Sequence, residues 1–163
     1  MEDILIISTG GTFNKYYQPS NGTLVVDRDG LALQDIADRW MSKFNLINII
    51  GKDSLDMNDE DRAKLLERIL ASRYKKIVVV HGTDTMDKSS QTIAEAELDK
   101  IVIFTGAMTP YSIERVEATA NLAMALGYLH SNIASGVYIS MNGIVDEYRK
   151  VTKNRQIAKF ERV

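Results

Sequence analysis

The sequence predicts an α/β fold, a doubly wound and mostly parallel sheet with helices on both faces and a small C-terminal hairpin. Three runs of β-branched and other aliphatic residues, 4–9, 77–80 and 101–105, are typical of strands that are buried on both faces. Apolar residues recur at helical spacing between these runs, and this alternation favours parallel strands joined by helical crossovers. Asn142-Gly143 is a two-residue turn signal that predicts an antiparallel strand at 144–148.

The other elements are predicted from the periodicity and the capping residues of the segments between these strands. Asn58 is the expected N-cap of a helix whose first turn is acidic. Pro110 excludes a helix immediately after the third strand. The polar segment 14–22 has no period and is predicted to be a mobile loop that covers a site. The remaining predicted elements are helices at 31–43, 59–72, 85–98 and 113–130 and strands at 44–50 and 136–141.

Composition restricts the class of protein. A chain of 163 residues with 45% hydrophobic residues fits one soluble globular domain. The formal net charge of −2 gives no general case for binding nucleic acid or an anionic membrane. The absence of cysteine excludes a disulfide framework, a thiolate nucleophile and a Cys-ligated zinc. Because the N-terminus is acidic and the apolar run after it has only strand length, we expect no secretory signal or membrane span and a cytoplasmic location.

The three predicted strands all end in glycine and hydroxyl residues, which would meet in the crevice beyond the carboxyl ends of the strands. The sequence has no Gly-Lys-Ser/Thr phosphate loop, no Gly-x-Gly-x-x-Gly and no Gly-x-Ser-x-Gly, so it lacks the local signatures of NTPases, dinucleotide-binding proteins and serine hydrolases. His81 and His130 are too few for most metal sites and are predicted to be structural. Threonine chemistry remains, because a threonine hydroxyl becomes a nucleophile when a base takes its proton. Thr12 has two tyrosines nearby, and Thr83 precedes Asp84.

For two segments of the chain, the sequence leaves two interpretations open. The acidic residues and the serine of 51–59 could bind the ammonium and carboxylate of a ligand, or they could only begin a helix. The basic tail 149–163 could be a solvated surface, or one of its lysines could serve as a general base.

Three motifs carry a resemblance to a known family. Ser8-Thr9-Gly10-Gly11-Thr12, His81-Gly82-Thr83-Asp84-Thr85-Met86 and Thr105-Gly106-Ala107-Met108 look like the strand-end motifs of the bacterial-type asparaginase and glutaminase family. The resemblance extends over essentially the whole chain but over only one of the family's two domains. It implies a short-chain, single-domain L-asparaginase in which residues 1–163 resemble the N-terminal domain and the second, C-terminal domain is absent. Such enzymes hydrolyse L-asparagine to L-aspartate and ammonia without a metal or an organic cofactor.

The resemblance implies catalytic roles for the positions that match these motifs. Thr12 matches the threonine that forms a β-aspartyl ester, and Tyr17 matches the lid tyrosine that helps to activate it. Thr83 would orient water, Asp84 would bind the substrate α-ammonium, and Lys153 would complete a Thr-Lys-Asp set. Which threonine attacks first stays open. The implied catalytic residues are Thr12, Tyr17, Thr83, Asp84 and Lys153.

The resemblance also implies a binding surface for the substrate. Ser54 matches the serine that holds the substrate α-carboxylate, while its neighbour Leu55 occupies a place that is often polar. Glu117 stands where the family has an aspartate, and Tyr16 is the alternative to Tyr17 as the lid tyrosine. No metal site is implied. The implied substrate-binding residues are Gly11, Asp53, Ser54, Gly82, Thr83, Asp84 and Ala107.

The absence of the second domain leads to an expectation about assembly. In two-domain members of the family, that domain of a neighbouring subunit closes one side of the pocket. We therefore expect a homodimer or higher homo-oligomer that acts on L-asparagine, with weaker or no activity on L-glutamine and no nucleic-acid or membrane partner. The alternative is a non-catalytic sensor that binds asparagine or aspartate in the same crevice. Transamidation on charged transfer RNA is less favoured, because the net charge is near neutral and no appended domain is expected.

Overall fold

Four α-helices and ten strands form in residues 3–163, the part of the chain that the computed structural model describes. The first two residues, which contribute to the prediction of no secretory signal, lie outside the described residues. None of the helices within 3–163 has the length and apolar character needed to cross a membrane. The elements are β1 (Ile4–Gly10), β2 (Lys15–Gln18), β3 (Thr23–Val26), α1 (Leu31–Arg39), β4 (Asn45–Lys52), α2 (Asp59–Ala71), β5 (Lys76–Val80), α3 (Met86–Ala94), β6 (Ile101–Thr105), α4 (Arg115–Tyr128), β7 (Gly136–Met141), β8 (Ile144–Glu147), β9 (Val151–Asn154) and β10 (Lys159–Arg162).

The main sheet has six strands in the order β4-β1-β5-β6-β7-β8. The pairs from β4 to β7 are parallel, and only β8 runs antiparallel, against β7. The strand order reverses at β1, because β4 pairs on one side of it and β5 on the other; Ile7, for example, pairs with Ile47 and with Val79. This arrangement confirms the predicted doubly wound, mostly parallel sheet. It also places a topological switch point beside the carboxyl end of β1, where open α/β sheets bind ligands.

Helices cover both faces of the sheet, as the alternation of side chains along each strand requires. Ile4 and Ile6 pack in one hydrophobic cluster with residues of α1 and α4. Leu5 and Ile7 pack in a second cluster with residues of α2 and α3. The two clusters lie on opposite faces of the central strands. The near-continuous apolar runs in the sequence therefore reflect burial on both sides.

The four predicted helices exist, but each is shorter than the sequence analysis expected, α2 by a single residue. The predicted helix 31–43 stops at Arg39, and Met41 beyond it has a φ of 50°. The predicted helix 85–98 stops at Ala94, before Glu97 with a φ of 47°. A left-handed residue after the last turn is a common way to end a helix, and neither residue is the glycine or asparagine that would have marked the end in the sequence.

The N-terminal ends of two helices are capped by side chains. Asn58 caps α2 as predicted, and Asn58 and Asp61 each accept a hydrogen bond from the other's backbone N–H at 3.0 Å. The predicted helix 113–130 begins at Arg115, because Glu114 accepts hydrogen bonds from the N–H groups of the first turn. The side-chain oxygens of Asn58 and Glu114 thus satisfy backbone donors that have no partner within the helix.

The structure corrects the prediction of an irregular loop at 14–22. Residues Lys15–Gln18 and Thr23–Val26 instead form the antiparallel hairpin β2–β3, in which Tyr17 pairs with Leu24. Tyr16 and Tyr17 are both exposed, so neither face of this hairpin shows the apolar alternation that marks a half-buried strand. The hairpin projects from the carboxyl edge of the sheet, directly after β1.

The C-terminal region contains the predicted antiparallel strand and one further hairpin. Met141 pairs with Ile144 across the Asn142-Gly143 turn, whose two residues have φ values of 49° and 83°. Positive φ at both positions is the geometry that favours Asn-Gly in such turns. The tail then forms β9–β10, which is anchored by the buried side chains of Val151 and Phe160. The tail is therefore a packed hairpin as well as a basic surface.

Candidate active site

Glycine residues bring the loops after β1, β4 and β5 into backbone contact. A Cβ on Gly11, whose φ is 77°, would lie 2.4 Å from the backbone nitrogen of Gly82. A Cβ on Gly82 would in turn lie 2.5 Å from the side chain of Ser54. Any larger side chain at either glycine would push these loops apart. The three loops thus form one floor at the carboxyl edge of the sheet.

The loop after β6 completes this floor. The His81 N–H donates to the Thr105 carbonyl at 2.9 Å, and a Cβ on Gly106 would lie 2.4 Å from the His81 carbonyl oxygen. Ala107 follows and is fully buried. Glu117 accepts hydrogen bonds from the N–H groups of the next two residues at 2.9 and 3.0 Å. Glu117, in the first turn of α4, therefore holds this loop in place.

Thr83, Asp84 and Lys153 form a hydrogen-bonded cluster above this floor. The Lys153 ammonium donates to the Thr83 hydroxyl at 2.9 Å and to the Asp84 carboxylate at 2.8 Å. Lys153 comes from β9, and Thr83 and Asp84 come from the loop after β5. Residues almost 70 positions apart therefore meet with the spacing of charge-assisted hydrogen bonds. The C-terminal hairpin thus brings together the three residues that the resemblance grouped as a Thr-Lys-Asp set.

Arg155 is part of the same cluster, although the sequence analysis did not single it out. Its guanidinium donates to the Asp84 carboxylate at 2.8 Å and to the Asp84 backbone carbonyl at 2.7 Å. Arg155 lies just after β9, in the turn to β10. The charge bias of the tail was visible in the sequence, but no local spacing distinguishes this arginine from the other cations there.

Ser54 lies directly beneath Asp84. Its side chain is fully buried, and its hydroxyl oxygen accepts the Asp84 N–H at 3.2 Å. The Thr85 hydroxyl donates to the Ser54 carbonyl at 2.8 Å. Ser54 therefore fixes the loop that carries Asp84. Its expected contact with a substrate carboxylate stays a prediction.

Asp53 connects the floor to the β2–β3 hairpin through an ion pair with Lys15. Partial burial by itself raises the pKa of Asp53, but hydrogen bonds from the Lys15 ammonium and the Leu55 N–H outweigh it, so the pKa lies below its ordinary value. Asp53 also begins the short 3-10 helix Ser54–Asp56. Asp53 therefore pairs with a lysine of this chain and precedes a short turn, and its expected contact with a substrate stays a prediction.

Thr12 and the two tyrosines are less closely associated. Thr12 lies in the short 3-10 helix Thr12–Asn14 and is half-buried beside the floor. Tyr17 is 57% exposed, and its hydroxyl approaches the hairpin tip at Gly22. Within residues 3–163 no hydrogen bond joins Thr12 to Tyr16 or Tyr17. The described structure therefore places both tyrosines on the hairpin without a hydrogen bond from either to the threonine, and the choice between them stays open.

His81 is fully buried at the end of β5, as the sequence analysis expected. Because a carbonyl can only accept, the 2.7 Å contact between Nδ1 and the Gly82 oxygen places the proton on Nδ1. Nε2 has no partner among the described residues. Burial lowers the pKa of His81 to about 4. His130 is exposed beyond α4, and no group of three or more carboxylate or imidazole side chains within 3–163 converges to hold a metal.

The fold and the site together define an α/β protein with a threonine, lysine and aspartate cluster at the carboxyl ends of a parallel sheet. Residues 3–161 match the family model described as Asparaginase, N-terminal. The chain therefore belongs to the asparaginase N-terminal family, as the three motifs indicated.

Related proteins are consistent with this membership. The chain is 27% identical over 167 residues to a glutaminase-asparaginase of Acinetobacter glutaminasificans, covering 95% of this chain and 50% of the relative. It is 24% identical over 165 residues to L-asparaginase 2 of Bacillus subtilis, covering 94% of this chain and 44% of that protein. A component of the glutamyl-tRNA(Gln) amidotransferase of Nanoarchaeum equitans is 32% identical over 146 residues, covering 86% of this chain and 37% of that protein. The chain thus spans about half, or less, of the length of the curated relatives it matches.

Solved structures show the same fold. The thermostable L-asparaginase from Thermococcus kodakarensis superposes with a TM-score of 0.82 at 22% identity, covering 98% of this chain and 51% of that chain. The probable cytoplasmic L-asparaginase from Campylobacter jejuni superposes with a TM-score of 0.80 at 25% identity, covering 98% of this chain and 53% of that chain. Each superposition therefore covers nearly all of this chain and about half of the solved structure.

Proposed function

We propose that this chain hydrolyses the side-chain amide of L-asparagine to L-aspartate and ammonia, with weaker or no activity on L-glutamine. The observation that carries the proposal is the contact of the Lys153 ammonium with both the Thr83 hydroxyl and the Asp84 carboxylate. A neutral lysine at this position would be a proton acceptor for the threonine hydroxyl, and the carboxylate would orient it. Membership of the asparaginase N-terminal family supports the amide as the reacting group.

The proposed reaction is a double displacement. The hydroxyl oxygen of Thr12 adds to the side-chain carbonyl carbon, its proton passes to the amide nitrogen, and the C–N bond breaks to release ammonia. A β-aspartyl ester on the threonine remains. Water held by Thr83 then adds to the ester carbonyl while the neutral amine form of Lys153 takes its proton. The ester C–O bond breaks, the proton passes from Lys153 to the Thr12 oxygen, and L-aspartate leaves. An attack by Thr83 first would use the same groups in the opposite order.

Side chains of the cluster and of the floor would bind the α-ammonium and α-carboxylate groups of the substrate. In this proposal Asp84 accepts the α-ammonium, and Ser54 contributes to binding the α-carboxylate. Asp53 would lie beside the carboxylate subsite, where its ion pair with Lys15 neutralises it. The close backbone contacts of the floor, which includes Gly11, Gly82 and the buried Ala107, would limit the depth of the pocket.

We further propose that residues 1–163 act as a single domain whose open crevice is closed by a second copy of the chain. The crevice lies at the carboxyl edge of the sheet beside the β2–β3 hairpin, whose Tyr16 and Tyr17 are exposed. A homodimer or higher homo-oligomer would exclude water from this side. Sedimentation at assay concentration tests this assembly, and a fully active monomer would contradict it.

The second candidate function is a non-catalytic sensor of asparagine or aspartate. It is favoured by the lack of a hydrogen bond between Thr12 and either tyrosine, which leaves that hydroxyl without an activating partner among the described residues. The same crevice would then bind the amino acid without turning it over.

Ammonia release distinguishes the two functions. The substrates are L-asparagine and, separately, L-glutamine at neutral pH without added metal, and the proteins are the wild type, Thr12→Ala and Thr83→Ala. Thr152→Ala is the matched control, because this exposed threonine is adjacent to Lys153 but outside the cluster. Loss of asparagine turnover in either of the first two variants, but not in the control, would establish the hydrolase. A folded wild type that binds asparagine by calorimetry without releasing ammonia would establish the sensor.

A further inference from the structure

The Asp84 carboxylate is shared by two cations. One oxygen, Oδ1, accepts from the Lys153 ammonium and from the Arg155 guanidinium, each at 2.8 Å. Arg155 also donates to the Asp84 backbone carbonyl at 2.7 Å. The other carboxylate assigned to the site, Asp53, is paired with Lys15. One negative charge therefore faces two positive charges, and a substrate ammonium that approaches Asp84 would be a third.

The two cations are held very differently. The Lys153 side chain is 12% exposed and also contacts Thr83, so it is fixed by the cluster. The Arg155 side chain is 63% exposed, and its hydrogen bonds to the described residues both go to Asp84. Exposed ion pairs contribute little and open readily. Arg155 is therefore the cation that a ligand could displace from the carboxylate.

We propose that Arg155 is a specificity-determining residue that competes with the α-ammonium of the substrate for Asp84. This inference rests on the proposed function, in which Asp84 receives that ammonium. While Arg155 is in place, the site is complementary to amides without a free α-amine, of which succinamate, the deaminated analogue of asparagine, is the simplest. Free L-asparagine must displace the guanidinium before it binds, so its affinity is reduced.

The matched control is Arg162 on β10 of the same hairpin. Its side chain is 67% exposed and pairs with Asp146, away from Asp84. Arg155→Ala and Arg162→Ala thus remove the same charge from the same hairpin, and only the first leaves Asp84 with a single cation, Lys153. A general electrostatic effect of the tail would appear in both variants.

The decisive measurement is calorimetric binding of two products, L-aspartate and succinate, which requires no turnover. Arg155→Ala is expected to bind L-aspartate about fivefold more tightly than the wild type. The affinity rises because the ligand no longer has to break an exposed ion pair. Succinate, which has no ammonium, should bind no more tightly. Arg162→Ala should match the wild type for both ligands. In kinetics, KM for L-asparagine should fall in Arg155→Ala while KM for succinamate does not.

Two results would overturn the proposal. Weaker binding of both products to Arg155→Ala would mean that the arginine only holds the Asp84 loop in place. Unchanged or undetectable binding of L-aspartate in this variant would mean that no competition for the carboxylate exists. Ammonia release tests the proposed function separately. Tighter aspartate binding without amide turnover would retain the role of Arg155 and reject hydrolysis, and normal turnover without tighter binding would do the reverse.

Discussion

Acidification should destabilise this protein through a single buried histidine. The His81 ring lies under the site floor, edge-on to Phe104 with 5.7 Å between ring centroids. Its Nδ1 proton is donated to Gly82, so a second proton would go to Nε2, which has no acceptor among the described residues. The folded protein therefore disfavours the charged imidazolium, while the unfolded chain accepts it freely.

The size and sign of this effect follow from the two pKa values. The pKa of His81 is about 4 in the folded protein, and its ordinary value, which we take for the unfolded chain, is 6.5. Between these values the unfolded state binds more protons, so the free energy of unfolding falls as the pH is lowered from above 6.5 to 4. At about 1.4 kcal/mol per pH unit, the loss amounts to about 3 kcal/mol. Stability from this group is fully present above pH 6.5.

Urea unfolding at pH 7 and pH 4 measures this loss. Carboxylates also titrate in this range, so the quantity of interest is the difference between the wild type and His81→Asn, whose amide can still donate to Gly82. The variant should be less stable at pH 7 because of the lost ring but should lose about 3 kcal/mol less on acidification. His130→Asn, at the exposed histidine, should behave as the wild type. Equal pH dependence in the wild type and His81→Asn would refute the reasoning.

Two further predictions concern the ion pairs of the site. Lys153→Met should lower kcat for L-asparagine at least about a hundredfold, because Thr83 loses the amine that exchanges a proton with its hydroxyl. Steady-state ammonia release measures kcat, with Lys150→Met at an exposed lysine as the control. A similar kcat in the two variants would contradict the prediction. Asp53→Asn should free the β2–β3 hairpin from its ion pair with Lys15. Loss of the ion pair should lower the free energy of opening the hairpin by up to about 1 kcal/mol, which speeds amide hydrogen exchange at residues 15–26 about fivefold. Unchanged exchange at these residues would show that the ion pair does not hold the hairpin.

The central sheet was predictable because its signals are local. Strands buried on both faces are continuous apolar runs, and residues 77–80 are fully buried in the structure. The glycines that end the strands could also be recognised, because close backbone contact excludes other residues there. For Gly11 and Gly82 the structure shows this contact directly. Each of these features depends on a few consecutive residues.

The features that the sequence did not reveal depend on distant partners or on exposed strands. The β2–β3 hairpin projects from the sheet, and its exposed tyrosines give no apolar period. Lys153 was assigned through family resemblance alone, because its partners lie 69 and 70 residues earlier in the chain. Arg155 had neither a local spacing nor a family motif to mark it. Its contact with Asp84 depends on how the C-terminal hairpin folds back over the sheet.

The two parts of the site have different structural origins. The floor is set by backbone contacts between neighbouring strand ends, where a single added methyl group at Gly82 would displace Ser54. The cations above it come from the β9–β10 hairpin, which joins the rest of the chain through the buried Val151 and Phe160. Substitutions on this hairpin can therefore change the charge that faces a substrate without disturbing the floor. Arg155 is the residue where such a change would act most directly, because its side chain contacts the site and is otherwise exposed to solvent.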